Sequence, residues 1–228
     1  WGGLASALRT GKRPKTQKPF FSDRKKAHRL LRSLYLDGQE IAPDLMAKLP
    51  LSRSENLLDL GGGLGAFSLA FCRRYPRLKA TLVEHPRIVP LARRAVMDAA
   101  LVKRLRVVGA DFTREDLPRG FDTVFVSNVL HSQGVDENRL LLLKIRNCLN
   151  PKGQLIVRDV FMSRDGTAPE WAALFSVSLL LQTPHGRCYA LDEILGWLRQ
   201  SGFSSIKGPF RSSRAAFDPD SVLIAKMS

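Results

Sequence analysis

The chain has 228 residues, of which 44% are hydrophobic and 25% charged. That composition suits one α/β domain with a substantial core. No apolar run approaches the roughly 18 residues of a membrane-spanning helix. The net charge of +15 is uneven, because residues 1–33 hold ten Lys or Arg and one Asp. Such an arm could engage nucleic acid or an anionic surface through residues 9–32. It lacks the interleaved aromatics of a base-stacking surface, Phe20 and Phe21 being the only ones near its centre, so a solvated connector is preferred. The three cysteines, Cys72, Cys148 and Cys188, lie far apart without metal-ligand spacing. That pattern points to a reducing, cytoplasmic compartment rather than a disulfide framework. The opening residues are polar and basic, and no signal peptide is read in them.

In chain order, residues 1–21 read as a linker or a short helix plus loop. SDRKKAHRLLRSLY predicts a helix with Ser22 as N-cap and Leu30, Leu31 and Leu34 on its apolar face. Residues 1–35 are therefore taken as a basic arm and 36–228 as the folded domain. From residue 55 strands and helices alternate. ENLLDL, KATLVE, RLRVVGA, FDTVFVSN and GQLIVRDVF are strands. AFSLAFCRRY, PRIVPLARRAVMDAA and DENRLLLLKIRNCL are helices between them. PEWAALFSVSLLLQ and LDEILGWLRQSG are two further helices, and FSSIKGPF and SVLIAKM close the chain as strands. Short, continuously apolar strands alternating with helices imply a mostly parallel sheet covered on both faces. Ligands of such sheets bind outside the carboxyl ends of the strands.

Asp59-Leu60-Gly61-Gly62-Gly63-Leu64-Gly65 leaves the first strand and opens a helix. Glycines there allow a sharp turn and a close ligand approach, and the helix start offers unpaired N–H groups. Gly61-x-Gly63-x-x-Ala66 also fits a dinucleotide fingerprint, and Glu84, at the end of the second strand, would bind ribose hydroxyls in either reading. Asp59 before the glycines could hold the loop or approach a cationic amino-acid group, where a pyrophosphate would be repelled. Asp111 and Phe112 end the third strand. The Asp can accept from an adenine amino group and the Phe can cover the ring, the alternatives being an N-cap and core packing. Together these positions favour S-adenosylmethionine over a nicotinamide cofactor.

LLDLGGGLGAFSLAFCRRYP, LVEHP, GADF, FDTVFVSNVLH and LNPKGQLIVRDVF, in this order, resemble the successive motifs of the class I methyltransferases. More narrowly, the chain resembles the O-methyltransferases that act on plant phenolics, acetylserotonin and bacterial polyketides. WGGLASALRTGK is similar to the segment joining that family's two domains. The resemblance implies a Rossmann-like, seven-stranded sheet of order 3-2-1-4-5-7-6 with the last strand antiparallel. It implies S-adenosylmethionine as donor, S-adenosylhomocysteine as product, and cofactor contacts at Gly61, Gly63, Glu84, Asp111, Phe112 and Ser127. Many members carry a lysine at the position of Ser127. His131, at the end of the fourth strand, matches the catalytic base, and a neutral imidazole suits removal of a hydroxyl proton. Asp159 matches one acid that orients it. A second acid is absent near Cys188, Asp192 and Glu193 falling instead in a helix start. Trp171, Phe175 and Leu179 share one helix face. Exposed to a pocket, they imply a flat apolar acceptor; otherwise they are core. The family's N-terminal dimerisation domain is not in this sequence, so a homodimer is an expectation of the resemblance alone. RNA or protein methylation through the basic arm, and a non-methylating domain that merely binds the cofactor, are the alternatives.

Overall fold

A strand that is apolar on both sides is stable only between two helical layers, and the computed structural model has that arrangement. It describes residues 3–11, 24–215 and 219–227. A short helix α1 (Leu4–Thr10) and a long one, α2 (Arg24–Met46), precede the sheet. Then β1 (Asn56–Leu60), α3 (Ala66–Arg74), β2 (Lys79–Glu84), α4 (Val89–Asp98) and β3 (Leu105–Gly109) form the first half. The second half runs through β4 (Phe121–Ser127), α5 (Val135–Cys148), β5 (Leu149–Asp159), α6 (Glu170–Gln182), α7 (Leu191–Gln200), β8 (Phe203–Arg211) and β9 (Ser221–Met227). Two small strands, β6 (Phe161–Met162) and β7 (Tyr189–Ala190), pair with each other in parallel beside α6.

The main sheet has the order β3-β2-β1-β4-β5-β9-β8. Counted over its own seven strands, that is the expected 3-2-1-4-5-7-6. The last strand, β9, is antiparallel to β5 and to β8. Strand alternation sends side chains to the two faces in turn. Leu58, Leu60, Val124, Val126, Leu155 and Val157 meet α5 and α7 in one core. Leu57, Phe125 and Ile156 meet α2, α3 and α4 in the other.

The expected first helix needs correction. Its start at Ser22 lies outside the described residues, and it continues without a break to Met46, through Pro43. Leu34, expected on the apolar face, is exposed. The buried line is instead Leu31, Gly38, Ile41, Ala42 and Leu45. The reason is close contact with α3: a side chain at Gly38 would come within 2.8 Å of Ala66 Cβ. That approach turns Gly38 inward and Leu34 outward. Leu31 then reaches over the glycine loop, about 3.6 Å from where a side chain at Gly63 would begin.

Candidate active site

The site is built at the carboxyl ends of β1, β2, β3, β4 and β5. Gly61 leaves β1 with φ +71°, in the left-handed region where a side chain is strained. A Cβ there would approach Val129 Cγ2 to 2.8 Å and the Phe112 ring to 3.5 Å. Val129 and Phe112 thus pack against the bare backbone of Gly61, with no room for a side chain there.

Glu84 borders the same loop. It is buried, and its Oε2 accepts from Gly63 N–H at 2.8 Å while Oε1 accepts from His85 N–H at 2.7 Å. Burial raises its pKa, and the two N–H donors oppose that rise. Glu84 is in register with Gly109 of β3, so Asp111 follows on the adjacent strand end. Asp111 is partly exposed. Its Oδ1 accepts from Thr113 Oγ1 at 2.5 Å and from Thr113 N–H at 3.2 Å, and Oδ2 stands 3.6 Å from Arg114. The Thr113 hydroxyl holds its pKa below the usual carboxylate value.

Asp59 sits beneath the loop and is 1% exposed. Its Oδ2 accepts from Ser68 Oγ of α3 at 2.5 Å, and Oδ1 is buried without a partner among the described residues. Burial pushes its pKa up to about 7, with Ser68 lowering it and the charge of Glu84 raising it. The carboxyl thus pins the loop to α3 from below. A group whose folded pKa is raised loses stability as pH climbs from its unfolded value toward its folded one. Asp59→Asn, which can still accept from Ser68, is therefore expected to melt above the parent at pH 8. The gap, on the order of a few kcal/mol at most, should close as pH falls toward 4. Thermal melts across that range check it, and a gap independent of pH would refute it.

His131 lies in the short turn Leu130–Ser132 after β4 and is 8% exposed. Its Nδ1 is 2.7 Å from Asp159 Oδ1. The same carboxylate accepts from Leu130 N–H (3.1 Å) and Val160 N–H (2.8 Å). Asn138, fully buried on α5, donates to Leu130 O at 2.9 Å and ties down the turn from the other side. Burial lowers the His131 pKa, but the charge and hydrogen bond of Asp159 outweigh it, with a further push from Asp220, and the net shift is upward. The Nε2 atom makes no hydrogen bond with any described residue.

The face of α6 meets this imidazole. Phe175 stands edge-on to His131 with ring centres 5.1 Å apart, and Trp171 lies 6.4 Å beyond Phe175. Leu179 is core, packed with Val160, Ala172 and Cys188. Trp171 is 36% exposed and Phe175 packs partly against that same cluster, so the face runs from exposed to buried along its length. Cys188 is buried and its thiol is pushed up to about 12, by burial first and then by Asp159 and Asp220. Asp192 and Glu193 are in the first turn of α7, where Glu193 binds Arg187 at 2.6 Å and the Ala190 N–H at 3.0 Å.

Ser127, the last residue of β4, pairs in register with Arg158 of β5. The Arg158 Nη1 donates to Ser127 Oγ at 3.2 Å and stands 2.6 Å from Asp220 Oδ2. The strand-end acids, the glycines and His131 singled out in the sequence all lie at this end of the sheet. Sequence reasoning missed Ser68, Asn138, Arg158 and Asp220. Ser68 and Arg158 are polar residues within the apolar stretches AFSLAF and LIVRDVF, and that interruption was the available signal; Asn138 and Asp220 stand in the polar stretches DENR and DPDS, which gave none.

Glycine loop, strand-end acids and a buried His–Asp pair thus gather at the carboxyl ends of one mostly parallel sheet. Residues 20–204 match the O-methyltransferase domain family, and the chain belongs to it. It is 30% identical over 194 residues to the 3-hydroxy-5-methyl-1-naphthoate 3-O-methyltransferase of Streptomyces sahachiroi, covering 85% of this chain and 56% of that one. It is 28% identical to the tetracenomycin polyketide synthesis 8-O-methyl transferase of Streptomyces glaucescens, over 99% of this chain and 66% of that protein. The structure of human N-acetylserotonin methyltransferase in complex with SAM superposes with a TM-score of 0.84 at 22% identity, covering 100% of this chain and 66% of that one. The chain thus spans between about half and two thirds of the length of these relatives.

Proposed function

We propose that this chain is the catalytic portion of an S-adenosylmethionine-dependent O-methyltransferase that acts on a hydroxyl of a small, flat, apolar acceptor. The observation that carries the reading is the His131–Asp159 pair opening onto Phe175 and Trp171 beside the glycine loop.

The bare glycine backbone lets a ligand approach the main chain closely, and the strand-end carboxylates fit a nucleoside. Gly61 and Gly63 would admit it to the backbone. Glu84 would take the ribose hydroxyls, Asp111 the adenine amino group, and Phe112 the ring. Asp59 would act on it through the loop it supports, and Ser127 would meet the end nearer β4. When bound, S-adenosylmethionine supplies an electrophilic methyl group.

The protein's own part is to position an acceptor and remove its proton. Asp159 accepts the Nδ1 proton, so in the neutral ring the lone pair is on Nε2. His131 takes the acceptor's hydroxyl proton at Nε2, and Asp159 stabilises the imidazolium that results. Phe175 and Trp171 offer ring faces and edges to an aromatic acceptor. The two Streptomyces relatives are named for a naphthoate and for a polyketide pathway, which accords with such a molecule.

The test is transfer from methyl-labelled S-adenosylmethionine to pools of hydroxylated aromatics, RNA and protein. Label is expected in the phenolic pool. Label confined to RNA or protein would overturn the proposal.

A further inference from the structure

Arg158 is a buried cation that neither the cofactor acids nor the base uses. Its side chain is 5% exposed and faces the α2–α3 side of the sheet. Asp220 Oδ2, before β9, holds Nη1 at 2.6 Å, and Ser212 Oγ accepts from Nε at 3.1 Å. The guanidinium lies over the Phe67 ring of α3, 5.2 Å from its centre. Phe67 is two residues past the last glycine of the loop. Arg158 therefore stands between the start of α3 and the end of β4.

What it does to Ser127 follows from hydrogen-bond roles. A guanidinium only donates, so Ser127 Oγ must accept from Nη1. Its hydroxyl proton is then directed elsewhere, and no described residue accepts it. Ser127 is only half-buried, so an acceptor can reach it from the site. The next residue secures the arrangement. Asn128 has φ +57°, which breaks the strand alternation, and its Nδ2 donates to the same Asp220 Oδ2 at 2.8 Å. Asn128 N–H also donates to Arg158 O at 2.8 Å. Serine and asparagine are thus both tied to one ion pair.

We propose that Arg158, anchored by Asp220 and Ser212, is a positioning residue for the methyl donor: it commits the Ser127 hydroxyl to donate to an acceptor atom of the bound cofactor. The proposal rests on the cofactor reading above. It predicts that Ser127 and Arg158 act as one unit.

The experiment is a double-mutant cycle on S-adenosylhomocysteine binding by calorimetry, using the full chain. Ser127→Ala and Arg158→Met are each expected to weaken binding about tenfold, one charge-supported hydrogen bond. The double variant should be about tenfold weaker as well, not a hundredfold. Arg158→Lys, which keeps a donor, should restore most of the affinity. In assays, KM for S-adenosylmethionine should rise with kcat little changed, a split that simple loss of fold would not give. Removing Arg158 takes the cation from beside the buried Asp220, so the cycle is repeated with Arg158→Met/Asp220→Leu, where the pair is exchanged for apolar groups. Unchanged binding by Ser127→Ala, or losses that multiply, would overturn the proposal while leaving the cofactor reading intact. A parent protein that bound no S-adenosylhomocysteine would sink both.

Discussion

His131→Ala is expected to lower methyl transfer by about 10²–10⁴-fold, the usual contribution of a positioned general base. Affinity for S-adenosylhomocysteine should stay within about twofold, because the imidazole bonds to Asp159 and touches Phe175, not the loop. Equal loss of both would assign His131 to structure. The pH dependence sharpens the test. Asp159 and Asp220 raise the His131 pKa above 6.5 against the opposing effect of burial. Only the neutral ring accepts a proton, so the rate should rise with pH through a midpoint above 6.5. Asp159→Asn removes the main cause, and the midpoint should move down even as the maximum rate falls. Stability has the opposite sign. The charged His131–Asp159 pair stabilises the fold below the unfolded pKa of histidine, and that contribution is lost as pH rises through the folded one. The enzyme is therefore expected to be most active where this pair contributes least to its stability.

The second large effect belongs to the cofactor. Glu84→Ala should weaken S-adenosylhomocysteine binding by roughly 100-fold, the equivalent of two charge-assisted hydrogen bonds at about 1.5 kcal/mol each. Part of that loss comes from the protein itself. Glu84 accepts the Gly63 N–H, so its removal frees the loop as well as the proposed ribose contact. Glu84→Gln keeps an acceptor for Gly63 and separates the two contributions: it should recover part of the affinity, and calorimetry reads the difference. Full affinity in Glu84→Ala would remove Glu84 from the site.

Much of this was legible from residue order alone. Apolar strands such as TLVE and VFVS, punctuated by glycine and acids, have few ways to pack, and strand order followed from the family resemblance they carry. The glycine loop, Glu84 and Asp111 could be read because strand ends are where backbone groups go unpaired. Other features depended on three-dimensional partners. Leu34 was misplaced because Gly38 lets α2 approach α3 so closely that the helix rotates, an effect of packing with no local periodic sign. Asp59 could equally have met a ligand or the loop, and only its bond to Ser68, nine residues on, reveals the second. Asp220 is 62 residues from Arg158 and comes to it through the antiparallel pairing of β5 with β9, in which Arg158 lies opposite Val222.

That pairing bears on how the enzyme can be altered. Arg158 and Asp159 are neighbours on one strand, and the pleat sends them to opposite faces. In the proposed roles, one residue serves the donor side and the next serves the base. A single deletion within β5 ahead of Arg158 would present the Asp159 carboxylate to Ser127, and a single insertion there would present the Arg158 guanidinium to His131. The end of β5 thus works as a two-sided key, in which phase along the strand matters as much as residue identity. Variation aimed at new acceptors belongs on α6, where Trp171 and Phe175 can change without disturbing that phase.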